Sequence, residues 1–424
     1  MKVISINTSA GTGGAAIAAR RIAEALNQIP GVEVAMLVRD GDSNFPVVTT
    51  TRSRWKRYLN FFRFAYERLI FFLHERSPQV RFLFSLANTG EEISRHPLVQ
   101  QADIIHLHWI NGGFVSLKGI KKLIDLGKPV VWTLHDMWLF TGGCHHSGDC
   151  TNFTQQCGNC MFLKKPYRHD LSSRVWRRKQ AILPPAGNLT LVTCSQWLRE
   201  RATISSLLIG KTVHAIPNPI DTETYRPIDK EKYRKQLGLN PLKKYILFVA
   251  ANVNNYFKGF SYFVESVEIL TKQNPEICHS VEILIAGKVK DPNVFRPLSV
   301  PYRLLGIVST DSMLTVYNAA DLYVTSSLQE NLPNTVMESL ACGLPVVAFK
   351  VGGIPEMIEH RQNGWLAEFK SASSLAEGIR WCLFETDYAK LSINAREKVL
   401  REYTYKIVAE KYLNVFEIAM NPKK

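Results

Sequence analysis

Short apolar segments with the character of strands alternate with helical patterns along the whole chain of 424 residues. This alternation favours parallel sheets covered by helices, because a strand pairs in parallel with the next only after a crossover connection. Paired prolines within residues 216–221 interrupt the alternation and predict a linker. The pattern therefore predicts an α/β chain with two doubly wound domains. The predicted strands lie at residues 3–7, 32–38, 104–108, 130–134, 189–194 and 213–216 before the linker, and at residues 245–250, 281–286, 322–325 and 346–349 after it.

A glycine-rich loop follows the first predicted strand and leads into a helix. Gly11, Gly13 and Gly14 let the backbone approach a ligand, and the amides at the start of the helix favour an anion. With Asp40 near the end of the second strand, the loop also fits a relaxed dinucleotide-binding pattern. One alternative is therefore an NAD(P)-dependent oxidoreductase that uses this loop.

Two carboxylates flank the start of a predicted helix in the second half of the chain. Glu330 and Glu338 are eight residues apart, and Pro333 between them suits a first helical turn, where its missing N–H would be unpaired anyway. Backbone amides near Asn334 and Thr335 would then face a phosphate, while carboxylates accept hydrogen bonds from sugar hydroxyls. The segment therefore predicts that the two acids touch different parts of one extended ligand.

Together with the sequences at residues 341–347 and 352–356, these two carboxylates resemble glycosyltransferase family 4. The likeness covers nearly the whole chain and includes the glycine loop, the linker and Lys258 with its following glycine. It implies the GT-B fold, an α/β architecture of two facing, doubly wound Rossmann-like domains with a cleft between them. It also implies a retaining enzyme that uses a nucleotide-diphosphate sugar and needs no metal ion for catalysis.

The domains that this resemblance implies divide the chain near the linker. Residues 1–217 would bind the acceptor, residues 218–403 would bind the nucleotide sugar, and a helix within residues 404–424 would pack back on the first domain. We interpret the enzyme as a hexosyltransferase that acts on a saccharide or lipid-linked acceptor in cell-surface polysaccharide biosynthesis.

Residue roles follow from the family motifs. Glu330 would contact the donor sugar, Glu338 the ribose, and Lys258 the leaving diphosphate, whose developing charge a fixed cation stabilises. His135 would lie beside the donor sugar. The family usually has an arginine a few residues before the lysine; this chain has none there, and Lys288 is a candidate replacement. The remaining residues of the implied nucleotide-sugar site are Gly13, Gly14, Asn252, Asn331, Leu332, Pro333, Asn334 and Thr335.

Four of the eight cysteines lie in a cysteine-rich insertion at residues 141–165. Their spacing is C-x5-C-x6-C-x2-C, and the last pair is a good half-site for zinc. A structural zinc ion, free or redox-labile thiols and an iron–sulfur cluster all stay open, and His145 or His146 could replace one thiolate. The four candidate ligands are Cys144, Cys150, Cys157 and Cys160.

Residues 52–81 combine aromatic side chains with a strong positive charge. They contribute +6 to a formal net charge of +15 for the chain. The apolar residues follow helical spacing, which predicts an amphipathic helix that binds an anionic membrane surface, or one that packs in the ordinary way on the sheet. The residues with this spacing are Trp55, Tyr58, Leu59, Phe62, Tyr66, Leu69 and Leu73.

The net charge and the N-terminal sequence predict where in the cell the protein works and which macromolecules it binds. The N-terminal residues have the character of a first strand and not of a signal peptide, which predicts a cytoplasmic enzyme associated with the inner face of the membrane. A nucleic-acid-binding protein with a zinc knob would explain the charge and the cysteines, but not the motifs of the second half. We therefore predict no nucleic-acid partner.

Overall fold

The computed structural model describes residues 1–41 and 47–421. The chain divides into two compact units. Unit 1 comprises Met1–Pro219 with Tyr405–Lys424, and unit 2 comprises Ile220–Thr404. Residues 422–424, the last three of the predicted C-terminal helix, lie outside the described residues.

Each unit is built on one parallel sheet. The strands of unit 1 are β1 (Lys2–Ser9), β2 (Glu33–Asp40), β3 (Val47–Thr49), β4 (Ile104–Leu107), β5 (Val130–Leu134), β6 (Leu189–Thr193) and β7 (Val213–Ala215). Those of unit 2 are β8 (Lys244–Asn252), β9 (Val281–Lys288), β10 (Tyr302–Gly306), β11 (Leu322–Thr325), β12 (Val346–Phe349) and β13 (Gly364–Ala367). In the described chain the orders are β3-β2-β1-β4-β5-β6-β7 and β10-β9-β8-β11-β12-β13.

Helices cover both sheets. In unit 1 and then unit 2 they are α1 (Gly14–Leu26), α2 (Arg54–Phe72), α3 (Pro97–Gln101), α4 (Leu117–Ile124), α5 (Leu171–Gln180), α6 (Gln196–Thr203), α7 (Lys230–Gln236), α8 (Phe260–Gln273), α9 (Ile277–Ser280), α10 (Thr310–Ala319), α11 (Asn334–Ala341), α12 (Ile354–Met357), α13 (Ala372–Arg380) and α14 (Tyr388–Glu402). The chain returns to unit 1 with α15 (Tyr405–Met420). In the described ranges no helix is both long and apolar enough to cross a membrane.

The central strands are the ones that the sequence predicts. Every residue of β4, β5, β11 and β12 is buried, as expected for parallel strands covered on both faces. The sequence patterns miss β3, β10 and β13, which lie at sheet edges. In β3 and β10 the residues are half-buried or exposed, so neither strand has the continuous apolar run of a central strand.

Strand order reverses at one place in each sheet, between β1 and β4 in unit 1 and between β8 and β11 in unit 2. Loops that leave the carboxyl ends of neighbouring strands at such a switch point form the usual ligand crevice of an open α/β sheet. The glycine loop follows β1, Lys258 follows β8 and Glu330 follows β11. The topology therefore brings predicted site residues to the switch points.

The C-terminal helix α15 completes a core of unit 1. Val408, Tyr412 and Phe416 are buried in the same apolar cluster as residues of α1, β1 and β2. The Tyr405 hydroxyl donates to Glu24 of α1 across 2.7 Å. Unit 1 therefore depends on a helix that lies some 185 residues further along the chain than the rest of it.

Candidate active site

Lys258 and Glu330 form an ion pair at the switch point of unit 2. The Lys258 ammonium donates to Glu330 Oε1 across 2.5 Å, although the two residues are 72 positions apart. The Glu330 side chain is 14% exposed and that of Lys258 is 34% exposed. Both charges therefore lie at the carboxyl edge of the sheet where a ligand can still reach them.

Close backbone contacts hold the Lys258 loop against the loop that follows β11. The Ser326 hydroxyl donates to the Gly259 carbonyl across 2.8 Å, and the Leu328 amide donates to the Phe257 carbonyl across 2.8 Å. Gly259 has φ +62°, and a Cβ there would come within 1.9 Å of the Ser326 carbonyl oxygen. Only glycine allows this approach, which fixes Lys258 beside Glu330.

The glycine pair at 352–353 supports Glu330 from the other side. A Cβ on Gly352 would lie 1.8 Å from the Glu330 carbonyl oxygen, and the Gly353 amide donates to the Asn331 carbonyl across 2.7 Å. This contact explains why the motif at 352–356 accompanies Glu330 in the sequence.

Helix α11 begins directly after this loop. Pro333 precedes the first helical residue, one position earlier than predicted, and its carbonyl accepts hydrogen bonds from the Val336 and Met337 amides. Asn331 and Leu332 are buried, whereas Pro333, Asn334 and Thr335 are half-buried. The positive end of the α11 dipole thus begins three residues beyond Glu330, where a phosphate would be favoured.

Glu338 lies buried one turn into α11. The Tyr317 hydroxyl of α10 donates to Glu338 Oε2 across 2.8 Å. Burial, reinforced by the Glu338 charge, raises the pKa of Tyr317 well above its ordinary value, so the phenol keeps its proton and remains a donor. No sequence pattern assigns Tyr317 a role, because its partner Glu338 lies 21 residues further along the chain.

Asn252 and Lys288 are register partners at the carboxyl ends of β8 and β9. Asn252 is half-buried and Lys288 is exposed. The Asn252 side chain accepts from the Asn254 amide across 3.3 Å. The pairing places the candidate replacement cation beside the stretch where the family has its arginine.

The glycine loop of unit 1 is exposed at the start of α1. Gly13 has φ +94° and its carbonyl accepts from the Ala16 and Ile17 amides, so it ends the loop and begins the helix. A Cβ on Gly11 or Gly13 would meet no atom within 4 Å in the described structure. Space for a ligand therefore lies directly against the backbone here.

His135 lies in a cluster of imidazoles beyond β4 and β5. Its Nε2 hydrogen-bonds His108 Nδ1 across 3.1 Å, and its Nδ1 contacts the Cys194 thiol across 3.3 Å. The ring of His106 lies 4.1 Å from that of His108, so the two alternate histidines share a face as predicted. His106 hydrogen-bonds Thr133, which in turn contacts Tyr412 of α15.

Burial keeps these imidazoles neutral. It lowers the pKa of His135 to about 4 and that of His106 to about 3, and it also lowers the pKa of His108. A neutral His135 can donate or accept one hydrogen bond at physiological pH, but it carries no charge. The arrangement suits a hydrogen-bonding role and not that of a resident cation.

Asp136 pairs with His145 and not with its neighbour His135. Asp136 Oδ2 accepts from Trp109 Nε1 and lies 2.7 Å from His145 Nδ1, while the other His145 nitrogen contacts Ser85. Burial acts to raise the pKa of Asp136, but His145 and the Trp138 amide outweigh it and the pKa is lowered. Both ring nitrogens of His145 therefore have hydrogen-bond partners in this structure, and its role as a replacement zinc ligand stays a prediction.

Helix α2 turns its apolar side outward. Its buried residues, Asn60, Glu67 and Phe71, lie on one face, and the Glu67 carboxylate accepts from the amides of Leu86 and Ala87. The opposite face exposes large apolar side chains, each by more than half. We call this surface the α2 aromatic face; it comprises Trp55, Tyr58, Phe61, Phe62, Tyr66, Leu69, Phe72 and Leu73. Ordinary packing of that stripe on the sheet is therefore wrong.

Two family models match the chain. The model described as Glycosyltransferase Family 4 matches residues 12–224, half of the chain, and the model described as Glycosyl transferases group 1 matches residues 243–385. An uncharacterized glycosyltransferase of Methanocaldococcus jannaschii is 29% identical over 199 residues, which cover 45% of this chain and 49% of that protein. The N-acetyl-alpha-D-glucosaminyl L-malate synthase of Bacillus anthracis is 23% identical over 216 residues, which cover 49% and 54%. The chain spans about half the length of these curated relatives.

Solved structures resemble the whole chain. The sucrose-phosphate synthase of Thermosynechococcus elongatus aligns with a TM-score of 0.65 at 17% identity, covering 98% of both chains. Anabaena HepE, solved with UDP and glucose, aligns with a TM-score of 0.63 at 17% identity, covering 98% of this chain and 99% of that one. At such identity the likeness shows the fold, which is the predicted two-domain α/β architecture of GT-B type. The oxidoreductase and nucleic-acid-binding alternatives gain no support.

Proposed function

The chain belongs to glycosyltransferase family 4, and from this premise we propose that it transfers a hexose, with retention, from a nucleotide-diphosphate sugar to a saccharide acceptor. The observation that carries the proposal is the Lys258–Glu330 pair at the switch point of unit 2, next to the start of α11. A cation and helix amides suit a diphosphate, while a carboxylate suits sugar hydroxyls. UDP and glucose in Anabaena HepE are consistent with such a donor.

Each residue then has a task in the transfer. Lys258 leaves Glu330 for the diphosphate and stabilises the charge that grows on it as the sugar departs. Glu330, released from the ion pair, accepts hydrogen bonds from the donor sugar. Glu338, held by Tyr317, accepts from the ribose hydroxyls. His135 would offer the sugar a neutral hydrogen bond once its contact with His108 or Cys194 opens, and Gly13 and Gly14 would admit the diphosphate or the acceptor.

Charge stabilisation by Lys258 and α11 would make a divalent ion unnecessary for the chemistry. We expect addition of Mg²⁺ or Mn²⁺ to leave turnover unchanged. A strict requirement for either ion would contradict this part of the proposal.

A panel of nucleotide sugars tests the function directly. Release of nucleoside diphosphate by the full chain would identify the donor, and the anomeric configuration of the product would report retention. Lys258→Met and Glu330→Gln should each lower turnover by about 10²–10³-fold. Lys350→Met is the matched control, since Lys350 pairs with Glu368 at 2.7 Å on an exposed surface of the same unit. Full turnover in both site variants would refute the proposal.

The acceptor that we propose is lipid-linked and serves cell-surface polysaccharide biosynthesis, with the enzyme bound peripherally to the inner face of the membrane. The support is the α2 aromatic face, because a contiguous exposed apolar patch marks an interaction surface. Arg52, Arg54 and Arg57 are exposed at one end of it and Arg76 at the other. Aromatic side chains flanked by arginines complement the interface of an anionic bilayer.

Vesicle flotation distinguishes this surface from a protein-docking site. Phosphatidylglycerol vesicles should retain the full chain, and phosphatidylcholine vesicles or high salt should release it. Phe61→Ser with Phe62→Ser should abolish retention. Leu242→Ser, an apolar residue 89% exposed in unit 2, is the control and should change nothing. Equal binding to both lipids, or none to either, would contradict the proposal.

A further inference from the structure

Four thiols of unit 1 lie in the loops before α5. Cys157 and Cys160 are buried, Cys144 and Cys150 are half-buried, and none of the four forms a disulfide. Each lies within electrostatic reach of the other three. Cys144 forms an antiparallel bridge with Phe84, and the Cys160 amide donates to Asp170 Oδ2 across 2.8 Å. Backbone contacts thus hold two ends of the cluster in the fold.

Backbone amides point at the sulfurs. The Gly142 amide donates to Cys157 Sγ across 3.1 Å, and the Phe162 amide donates to the sulfur of Cys160. A Cβ on Gly142 would lie 2.6 Å from the Cys157 Cβ, so this approach requires a glycine. Asn159, between the two cysteines of the C-x2-C pair, has φ +48°. Hydrogen bonds of this kind orient a cysteine sulfur and are the outer contacts that hold a metal ligand in place.

A buried cation lies beside the same thiols. Lys179 of α5 is fully buried, donates to the Trp138 and Thr141 carbonyls, and lies 3.8 Å above the Trp138 ring. Its charge acts on Cys144 and Cys157. Burial lowers the pKa of Lys179 to about 7, and negative charge on Cys144, Cys157 and Asp136 acts to raise it. Thiolates beside this buried amine would therefore favour its charged form.

We propose that Cys144, Cys150, Cys157 and Cys160 together bind one zinc ion, as a structural site balanced by the charge of Lys179. Four thiolates around Zn²⁺ carry a net charge of about −2, and binding releases the thiol protons to solvent. Soft thiolate ligands in tetrahedral number select zinc over hard cations.

The ligands are not drawn together in advance. Across residues 1–41 and 47–421, no three His, Cys, Asp or Glu side chains already stand as a metal-binding group. Zn–S bonds of about 2.3 Å would therefore require the sulfurs to move inward on binding. Bound zinc would then stabilise the core against which α2 packs, because Cys160 and Cys144 contact the apolar cluster of Phe71 and Phe84.

Metal analysis of the full chain, purified without oxygen, tests the site independently of any transferase activity. We expect about one zinc per chain. In the unaltered chain, replacement of zinc by Co²⁺ should give the intense absorption of thiolate-bound cobalt. This absorption identifies cysteine ligands without any variant, so the test does not depend on a variant that folds. Iron with labile sulfide would overturn the proposal in favour of a cluster. Absence of both bound zinc and the cobalt absorption would overturn it in favour of free thiols.

Substitutions test which cysteines bind zinc and whether Lys179 balances the charge of the site. Cys157→Ser with Cys160→Ser should abolish zinc retention, while Cys278→Ser, a half-buried cysteine of unit 2, should retain it fully. Lys179→Met should weaken zinc binding by about 10- to 100-fold in competition with a chelator. Full zinc content in the double cysteine variant, or unchanged affinity in Lys179→Met, would contradict the site or the role of the lysine.

Discussion

Lys258 and Glu330 neutralise each other across 2.5 Å before any ligand arrives. In the proposed reaction the donor must replace both halves of this pair, the diphosphate taking the cation and the sugar taking the carboxylate. In the exchange Lys258 gains an anionic partner and Glu330 gains neutral hydroxyl donors, so neither of these partly buried groups is left without a hydrogen-bond partner.

The hydrogen bond from Tyr317 to Glu338 offers a test of the ribose contact. Tyr317→Phe leaves a buried carboxylate with one donor fewer, so the free energy of unfolding of unit 2 should fall by about 1.5–3 kcal/mol. Affinity for the donor nucleotide should fall as well, which calorimetry measures. Tyr245→Phe is the control, because its hydroxyl donates to the Asn240 carbonyl. Unchanged nucleotide affinity in Tyr317→Phe would remove Glu338 from the proposed site.

The buried histidines predict an acid-sensitive unit 1. Burial lowers the pKa of His135 to about 4 and of His106 to about 3, whereas the unfolded chain titrates near 6.5. Between these pKa values the unfolded state binds more protons than the folded state. The contribution of these histidines to the free energy of unfolding is therefore fully present above pH about 6.5 and is lost as the pH falls. Urea unfolding at pH 7 and pH 5 measures the loss, and His106→Gln should reduce it. An identical pH dependence in this variant would contradict the assignment.

At the scale of elements, two loops from different strands act as one support for Lys258 and Glu330. Gly259 determines how closely they approach, because its Cα lies against the Ser326 carbonyl at φ +62°. The motifs of the second half therefore include residues such as Gly259 that set the distance between Lys258 and Glu330, the two residues proposed to contact the donor.

Gly259→Ala tests this support. Its Cβ would collide with the Ser326 carbonyl oxygen, so the loops must separate, and we expect turnover to fall together with stability. Gly306→Ala is the control, since Gly306 has φ +68° with no atom within 4 Å of a built Cβ in the described structure. The control should show only the cost of the left-handed backbone, about 1–2 kcal/mol in urea unfolding. Equal effects in both variants would contradict the importance of the contact.

Helix α2 shows where sequence pattern reaches its limit. Its apolar stripe predicts that one face of the helix is apolar and the other polar. In most helices an apolar face of this kind packs on the core of the protein. The buried carboxylate of Glu67, which accepts from the Leu86 and Ala87 amides, fixes the opposite face inward instead. Which side of the helix meets the protein depends on that tertiary contact.

At the scale of the molecule, α15 ties the end of the chain to unit 1. Tyr412 contacts Thr133, which contacts His106, so this helix reaches the histidine cluster through two hydrogen bonds. The C-terminus thus contributes to the environment of His135 although no motif of the sequence connects them.

Phe416→Ala should destabilise unit 1 through this helix. Phe416 is fully buried and contacts the ring of His106, so its loss leaves a cavity that costs about 3–5 kcal/mol. Ile418→Ala, on the same helix at 48% exposure, should change stability little. Urea unfolding with separate probes in each unit measures both effects. A loss confined to unit 2, or an equal loss in both variants, would contradict this account.

The sequence by itself predicted the central strands and the order of the candidate site residues along the chain. It placed the domain division at residues 217–218, and the two compact units divide between Pro219 and Ile220. Burial of a strand or helix face gives its apolar residues a regular spacing in the sequence. Glycine marks positions where two backbone segments approach closely or where the chain turns. Only the tertiary structure decided that Lys258 meets Glu330, that Asp136 pairs with His145, and that the α2 aromatic face points outward. These outcomes depend on contacts between segments that are distant in sequence. A residue's type restricts its local conformation and burial, but it does not determine which distant residue the fold places beside it.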